Sequence, residues 1–177
     1  IDADGKMIRD TIEVVTDFRS IRMFLLFRNI FNNSEMTFRR TVIEENSMKY
    51  KNNCFGLEDF LFWIQFSKIG KMSNIPDLVL LKRVHKKNET AHMKNEKMKE
   101  RKEKFLELQI YSLMLDGFKL EQRDEQVLKK FFTEESLVCK NEREFNQLAG
   151  FLKRILCQAV DMKKEYCLSM KQWFEDM

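Results

Sequence analysis

The chain has 177 residues, 44% of them hydrophobic, enough for one domain with its own core or for one compact lobe and an appendage. Charged residues make up 34%, well above the usual quarter, and one proline and five glycines leave long uninterrupted runs, a balance that favours helix over sandwich or barrel. A net charge of +4 permits an anionic partner without singling out nucleic acid, and the longest apolar run, Met23 to Phe27, is far short of the roughly 20 residues that span a bilayer.

The sequence opens on Ile1-Asp2-Ala3-Asp4-Gly5, without an initiator methionine and without the charged-then-apolar layout of a secretion signal, so we expect an interior piece of a longer protein. Asp2 to Gly5 has turn composition, and the β-branched run from Thr11 to Thr16 alternates Ile12 and Val14 with polar neighbours, which predicts a short strand. Asp17 is placed to cap a helix running to about Arg28, with Phe18, Ile21 and Leu25 on its apolar side. A second short strand is expected at Met36 to Phe38, followed by a brief helix after Arg40.

The next segment, Leu57-Glu58-Asp59-Phe60-Leu61-Phe62-Trp63-Ile64-Gln65-Phe66, is apolar nearly all round, the pattern of a helix enclosed by protein, and two carboxylates stand at its first turn. Gly70 is expected to end it, and Ile75-Pro76-Asp77 to turn the chain into a buried strand over residues 78–81 that closes at Lys82-Arg83-Val84-His85. From Lys86 to Lys104 there are eight basic and four acidic residues with almost nothing apolar, read as a solvated connection or the exposed first stretch of a helix.

This places the domain boundary between residues 1–93 and 94–177. The second part carries helical periodicity over residues 105–118, 124–132, 142–160 and 163–174, with stripes such as Leu148, Leu152, Ile155 and Ala159. The four cysteines, Cys54, Cys139, Cys157 and Cys167, lack CxxC spacing, which favours reduced thiols over a zinc site or disulfide framework.

Three blocks in order, Asn33-Ser34-Glu35-Met36-Thr37-Phe38-Arg39-Arg40, then Glu58-Asp59-Phe60-Leu61-Phe62-Trp63, then Ile75-Pro76-Asp77-Leu78-Val79-Leu80-Leu81-Lys82-Arg83-Val84-His85, resemble the carboxy-terminal half of the catalytic domain of family 2 glycosyltransferases. These enzymes have the nucleotide-sugar-binding α/β architecture called GT-A. The resemblance implies an α+β, predominantly helical chain: the acceptor-side portion of a GT-A domain followed by a helical tail. It implies a hexosyltransferase-like enzyme that transfers sugar from a nucleotide-sugar donor to a glycan or lipid-linked acceptor with inversion, in cell-surface polysaccharide or glycan assembly, using Mn²⁺ or Mg²⁺.

Under that resemblance Asp59 is the general base and Glu58 holds an acceptor hydroxyl. Trp63 walls the acceptor pocket, Arg39 or Arg40 reaches a substrate, Arg83 faces the diphosphate, and His85 is a metal ligand. The residues alone leave other roles open. Glu58 and Asp59 also suit a helix amino terminus, Trp63 a core, Arg39 and Arg40 surface pairing with Glu44 or Glu45, and Arg83 and His85 a solvated strand end. Asp2-Ala3-Asp4 imitates the metal-binding Asp-x-Asp motif but stands in a turn and close to the Glu58-Asp59 pair, so the true motif is expected upstream, with the nucleotide-binding half.

By itself the 177-residue chain is then expected to be inactive. The location implied is cytoplasmic, with peripheral membrane association through Trp173 and Phe174 beside Lys163, Lys164 and Lys171 as an option that ordinary helix packing also explains. The alternative from another class is a non-catalytic helical protein-interaction module. His92 is expected on the surface, and nucleic acid is not expected as a partner.

Overall fold

A computed structural model of the chain describes residues 4, 6, 14–81, 83, 95–133 and 139–176, the side chains of 95 and 96 excepted. Its elements are α1 (Phe18–Leu25), a 3₁₀ turn (Asn33–Glu35), α2 (Arg40–Glu45), α3 (Glu58–Phe66), α4 (Asn95–Leu115), α5 (Gln122–Phe131), α6 (Glu142–Asp161) and α7 (Cys167–Glu175). The described chain is predominantly helical and contains no strand.

Helix ends follow local chemistry. Asp17 accepts from the backbone N–H groups of Arg19 and Ser20 at 3.0 and 3.1 Å and so starts α1, while Asn141 accepts from that of Glu144 at 3.0 Å and starts α6. Glu121 and Asp124 form a reciprocal capping box on α5. Gly117, at φ +91°, closes α4: the Phe118 N–H reaches Leu113 O at 3.0 Å and the Gly117 N–H reaches Met114 O at 2.9 Å. Lys163 closes α6 the same way from φ 51°, which is why α7 begins at Cys167 rather than at the expected residue 163.

Two apolar clusters hold the helices together. The first surrounds α3, whose Phe60, Leu61, Phe62, Trp63, Ile64 and Phe66 are all buried. Each such side chain contributes about 1.5–3 kcal/mol relative to exposure, so α3 is held by its surroundings. The second joins α4, α5, α6 and α7 through Leu113, Leu128, Phe151, Ile155, Tyr166 and Met170. Helix α1 serves both, since Ile21 and Leu25 belong to the α3 cluster while Met23 belongs to the other. Phe105 and Leu108 of α4 also lie in the α3 cluster.

The expected strands are the main departure. Met36 has extended dihedrals, φ −88° and ψ 135°, and Phe38 packs on Phe62 and Trp63, yet this stretch joins no ladder. Residues 78–81 are coil as well, with Leu78 and Val79 68% and 64% exposed instead of buried. β-branched and aliphatic composition makes a strand only when a neighbour supplies the ladder hydrogen bonds, and neither stretch has one among the described residues. Of the predicted first strand, residues 11–13 lie outside the described residues and 14–16 are coil. The carbonyls of Val15 and Thr16 accept side-chain bonds from Asn74 and Ser73 at 2.7 and 2.6 Å.

Helix α4 begins ten residues before the expected 105, because the charged stretch from 96 to 104 consists of good helix formers. No described helix is long and apolar enough to cross a membrane.

Candidate functional site

Asp59 stands at the first turn of α3, and the loop that delivers it is unusual. Asn53, Phe55 and Gly56 adopt φ of 63°, 52° and 78°. An aromatic residue in the left-handed region costs about 1–2 kcal/mol, so this turn persists because its surroundings hold it. It reverses the chain directly into α3, with the Leu57 N–H bonded to Cys54 O at 3.0 Å. The buried Cys54 and Leu57 anchor it to the core.

The carboxylate then looks into a cavity of about 250 Å³ lined by Arg28, Asn29, Gly56, Leu57, Asp59, Arg101, Phe105 and Thr133. Four parts of the chain therefore meet there: the segment after α1, the turn into α3, α4, and the residues just after α5. Asp59 Oδ2 accepts from Asn29 Nδ2 at 3.0 Å, and Oδ1 accepts from the Phe60 N–H at 2.7 Å. A carboxylate has room for about four hydrogen bonds, so each oxygen keeps acceptor capacity toward the cavity. Burial raises the carboxyl's pKa above its ordinary value, against the opposing effects of these two hydrogen bonds and of the Arg101 cation.

Glu58, expected to hold an acceptor, folds back and accepts from the Gly56 N–H at 3.3 Å. Trp63 does not line the cavity. It is 1% exposed, packs against Phe31, Phe38, Phe62 and Phe66, and its indole N–H is buried without a partner among the described residues. An indole four residues after Asp59 shares its helical side, but the apolar collar around α3 draws that side into the core. Tyr50, which stacks on Phe62 with ring centroids 4.7 Å apart and is 44% exposed, presents an aromatic face instead. Its phenol donates to Asn33 Oδ1 at 2.6 Å, and burial, with the nearby Asp59 charge also contributing, holds its pKa above the ordinary value.

Arg39 and Arg40 are exposed at the start of α2, and Arg40 pairs with Glu44 at 2.6 Å across one helical turn. Arg83 is exposed. His85 and His92, like Asp2, lie outside the described residues. Trp173 packs on Phe24 and Phe27, with centroids 5.1 and 5.5 Å apart, and so contributes to the helical core. All four cysteines are free thiols. Among the described residues no three or more His, Cys, Asp or Glu side chains are grouped to hold a metal ion, so the described residues do not supply a ligand set for the expected cation.

Asn29, Arg28, Arg101 and Thr133 were not singled out in the sequence. Nothing about an asparagine after a helix or one arginine among eight basic residues marks it, because their meaning comes from folding against residues distant in the sequence, Asn29 against Asp59 and Arg101 against Phe55 and Gly56.

The chain is similar to a protein from Haemophilus influenzae named an uncharacterized glycosyltransferase, 29% identical over 76 residues. That stretch covers 43% of this chain and 23% of the relative, so the match spans about a quarter of the relative's length. The similarity links part of this chain to glycosyltransferases. No family model and no solved structure matches the sequence.

Proposed function

We propose that the chain is the acceptor-side part of an inverting, sugar-nucleotide-dependent glycosyltransferase of family 2 and GT-A type, with Asp59 as the base. The observation that carries this reading is a half-buried carboxylate, held by Asn29 and raised in pKa by burial, that opens on a cavity at the start of a buried helix. The partial similarity to a glycosyltransferase gives that carboxylate a chemistry to serve.

In this reading the acceptor hydroxyl donates its hydrogen bond to Asp59. As its oxygen forms a bond to the anomeric carbon, the proton passes to the Asp59 carboxylate. The bond from the anomeric carbon to the diphosphate oxygen breaks on the opposite face, the electron pair leaves with the nucleoside diphosphate, and the configuration inverts. A carboxyl raised above its ordinary pKa is a stronger base for this step.

Glu58, Trp63, Arg39, Arg40, Arg83 and His85 keep the roles the resemblance implies only as part of the proposal. Glu58 and Trp63 would shape and support the site from the helix that carries Asp59. Arg83 and His85 would meet the leaving diphosphate and its Mn²⁺ or Mg²⁺, which neutralises charge on the leaving group when bound. The α/β half with the donor pocket, a glycan or lipid-linked acceptor and a cytoplasmic, membrane-peripheral place in polysaccharide assembly belong to the same proposal.

A second reading, a non-catalytic protein-interaction module, draws on one observation: Ile75, Leu78, Val79, Leu80 and Leu81 are all exposed in succession, 65%, 68%, 64%, 41% and 52%.

The deciding experiment is a transfer assay on the full-length protein, scanning nucleotide-sugars with Mn²⁺ or Mg²⁺ and comparing wild type with Asp59→Asn. Transfer that the substitution abolishes, with folding and donor binding intact, supports Asp59 as base. Transfer that survives the substitution removes Asp59 from the mechanism, and absence of any donor binding moves the interaction-module reading ahead.

A further inference from the structure

We propose that Arg101 of α4 is a positioning residue for Asp59: it ties the left-handed turn before α3 to the helical tail, so that the tail sets the place of the reacting carboxylate. The proposal rests on the reading of Asp59 as the base, and deepens it.

Arg101 Nη1 donates to the carbonyl of Phe55 at 2.9 Å and to that of Gly56 at 2.7 Å. These are the two successive left-handed residues of the turn, with φ of 52° and 78°, and Asp59 follows three residues after Gly56. A strained turn needs an external restraint, and two charge-assisted bonds from one guanidinium provide it at the point where the strain sits. The same arginine lines the cavity into which Asp59 looks.

The spacing along α4 makes this placement firm. Arg101, Phe105 and Leu108 lie on one side of the helix, and Phe105 packs on Phe60, the neighbour of Asp59, with ring centroids 5.6 Å apart. The start of α3 is therefore held at two places by one helix, through an apolar contact at Phe60 and through the guanidinium one turn earlier. Over residues 97–104 the charged first stretch of α4 brings no side chain into the buried core, yet it carries Arg101 over the site.

Among the described residues, the charged and titratable groups around Asp59 are Arg28 after α1 and Arg101 on α4, which line the cavity with it, and Tyr50 in the loop before α3, while Glu58 on its own helix turns back to the Gly56 N–H. Among these, Arg101 holds the Asp59 carboxyl down against burial, so losing its charge should move the Asp59 titration to higher pH.

The test follows the Asp59 carboxyl through a pH titration by ¹³C-detected NMR on this chain, in wild type, Arg101→Lys and Arg101→Gln. Lysine keeps the charge but lacks the planar fork, whereas glutamine loses the charge. The expected result is a midpoint raised in Arg101→Gln, raised less in Arg101→Lys, and shifted Gly56 and Leu57 amide signals in both. In the full-length transferase kcat should fall by about ten- to a hundredfold with little change in donor KM, the signature of a displaced reacting group.

Midpoints and amide signals that stay at the wild-type positions overturn the proposal, and so does a shared loss of melting temperature with unchanged midpoints, which is what a merely structural arginine gives. Should Arg101→Gln fail to fold, Arg101→Lys decides through the amide signals and kcat. Because the titration needs no substrate, the two readings fail separately. If Asp59→Asn retains transfer while Asp59 still responds to Arg101, the base assignment falls and the coupling stands; if Asp59→Asn is inactive and Asp59 ignores Arg101, the reverse holds.

Discussion

Asp116 lies buried at the end of α4, and four side chains from three other parts of the chain converge on it. Arg22 Nη2 donates to Oδ1 at 2.9 Å, Lys68 pairs with the same oxygen, Lys164 stands 3.9 Å from it, and the Tyr166 hydroxyl donates to Oδ2. Arg22 also bonds Glu165 at 2.7 Å, so the group ties α1, the end of α3, the end of α4 and the turn before α7 into one network. Asp59, at the other end of α3, receives one side-chain bond, from Asn29, and faces a cavity.

The two carboxylates thus spend their burial differently. At Asp116 both oxygens are answered, Oδ1 by two cations and Oδ2 by a hydroxyl, and desolvation also weighs on a partner: burial, with Arg22 and Lys164 nearby, pushes the Lys68 ammonium pKa down to about 8 despite its ion pair. At Asp59 the cost stays on the carboxyl itself, whose pKa rises. A satisfied carboxylate holds helices together, and an under-satisfied one beside a cavity is left able to accept a proton.

Substitution should separate these roles sharply. Asp59→Asn is expected to lower transfer by about 10²–10⁴-fold, the usual worth of a positioned general base, in the full-length assay. Asp116→Asn should act on stability instead, costing about 3–5 kcal/mol because it leaves Arg22, Lys68 and Lys164 facing one another without their anion, as read by urea denaturation of this chain.

The comparison can be sharpened by pH. A carboxyl whose folded pKa is raised binds more protons in the native than in the unfolded state between the two pKa values, so its contribution to stability is present at low pH and is lost as pH rises through the folded pKa. Asp59→Asn, which stays neutral, should therefore melt above wild type at pH 7, and the difference should close below the ordinary aspartate pKa of about 4. A melting temperature that drops at neutral pH would place Asp59 with Asp116 as a structural group. The smallest effect is expected from Arg40→Ala, since its pair with Glu44 is 89% and 58% exposed: a change under about 0.5 kcal/mol by denaturation.

Periodicity and capping made the helices legible in the sequence. Asp17 before an apolar stripe, the all-round apolar run from Leu57 to Phe66 and the Leu148-Leu152-Ile155 stripe each specify a helix by chemistry within a few turns, and each forms. The same local reading over residues 36–38 and 78–81 described strand composition correctly and still yielded coil, because pairing is a property of two segments and composition belongs to one. The placement of Glu58 and Asp59 at a helix start was likewise legible, whereas Trp63 went to the core because neighbouring aromatic rings enclose it.

The sequence by itself determined that this protein is largely helical, that its thiols are not arranged in paired motifs, and that two acids open a buried helix, since propensity, spacing and capping act over short range. Only the tertiary structure decided which of those acids faces a cavity, that Asn29 and Arg101 reach that cavity from distant elements, and that Asp116 becomes a hub with both oxygens paired. Those outcomes depend on how far burial strips water from a charge and on which side chains arrive to replace it, and both are set when separate helices pack.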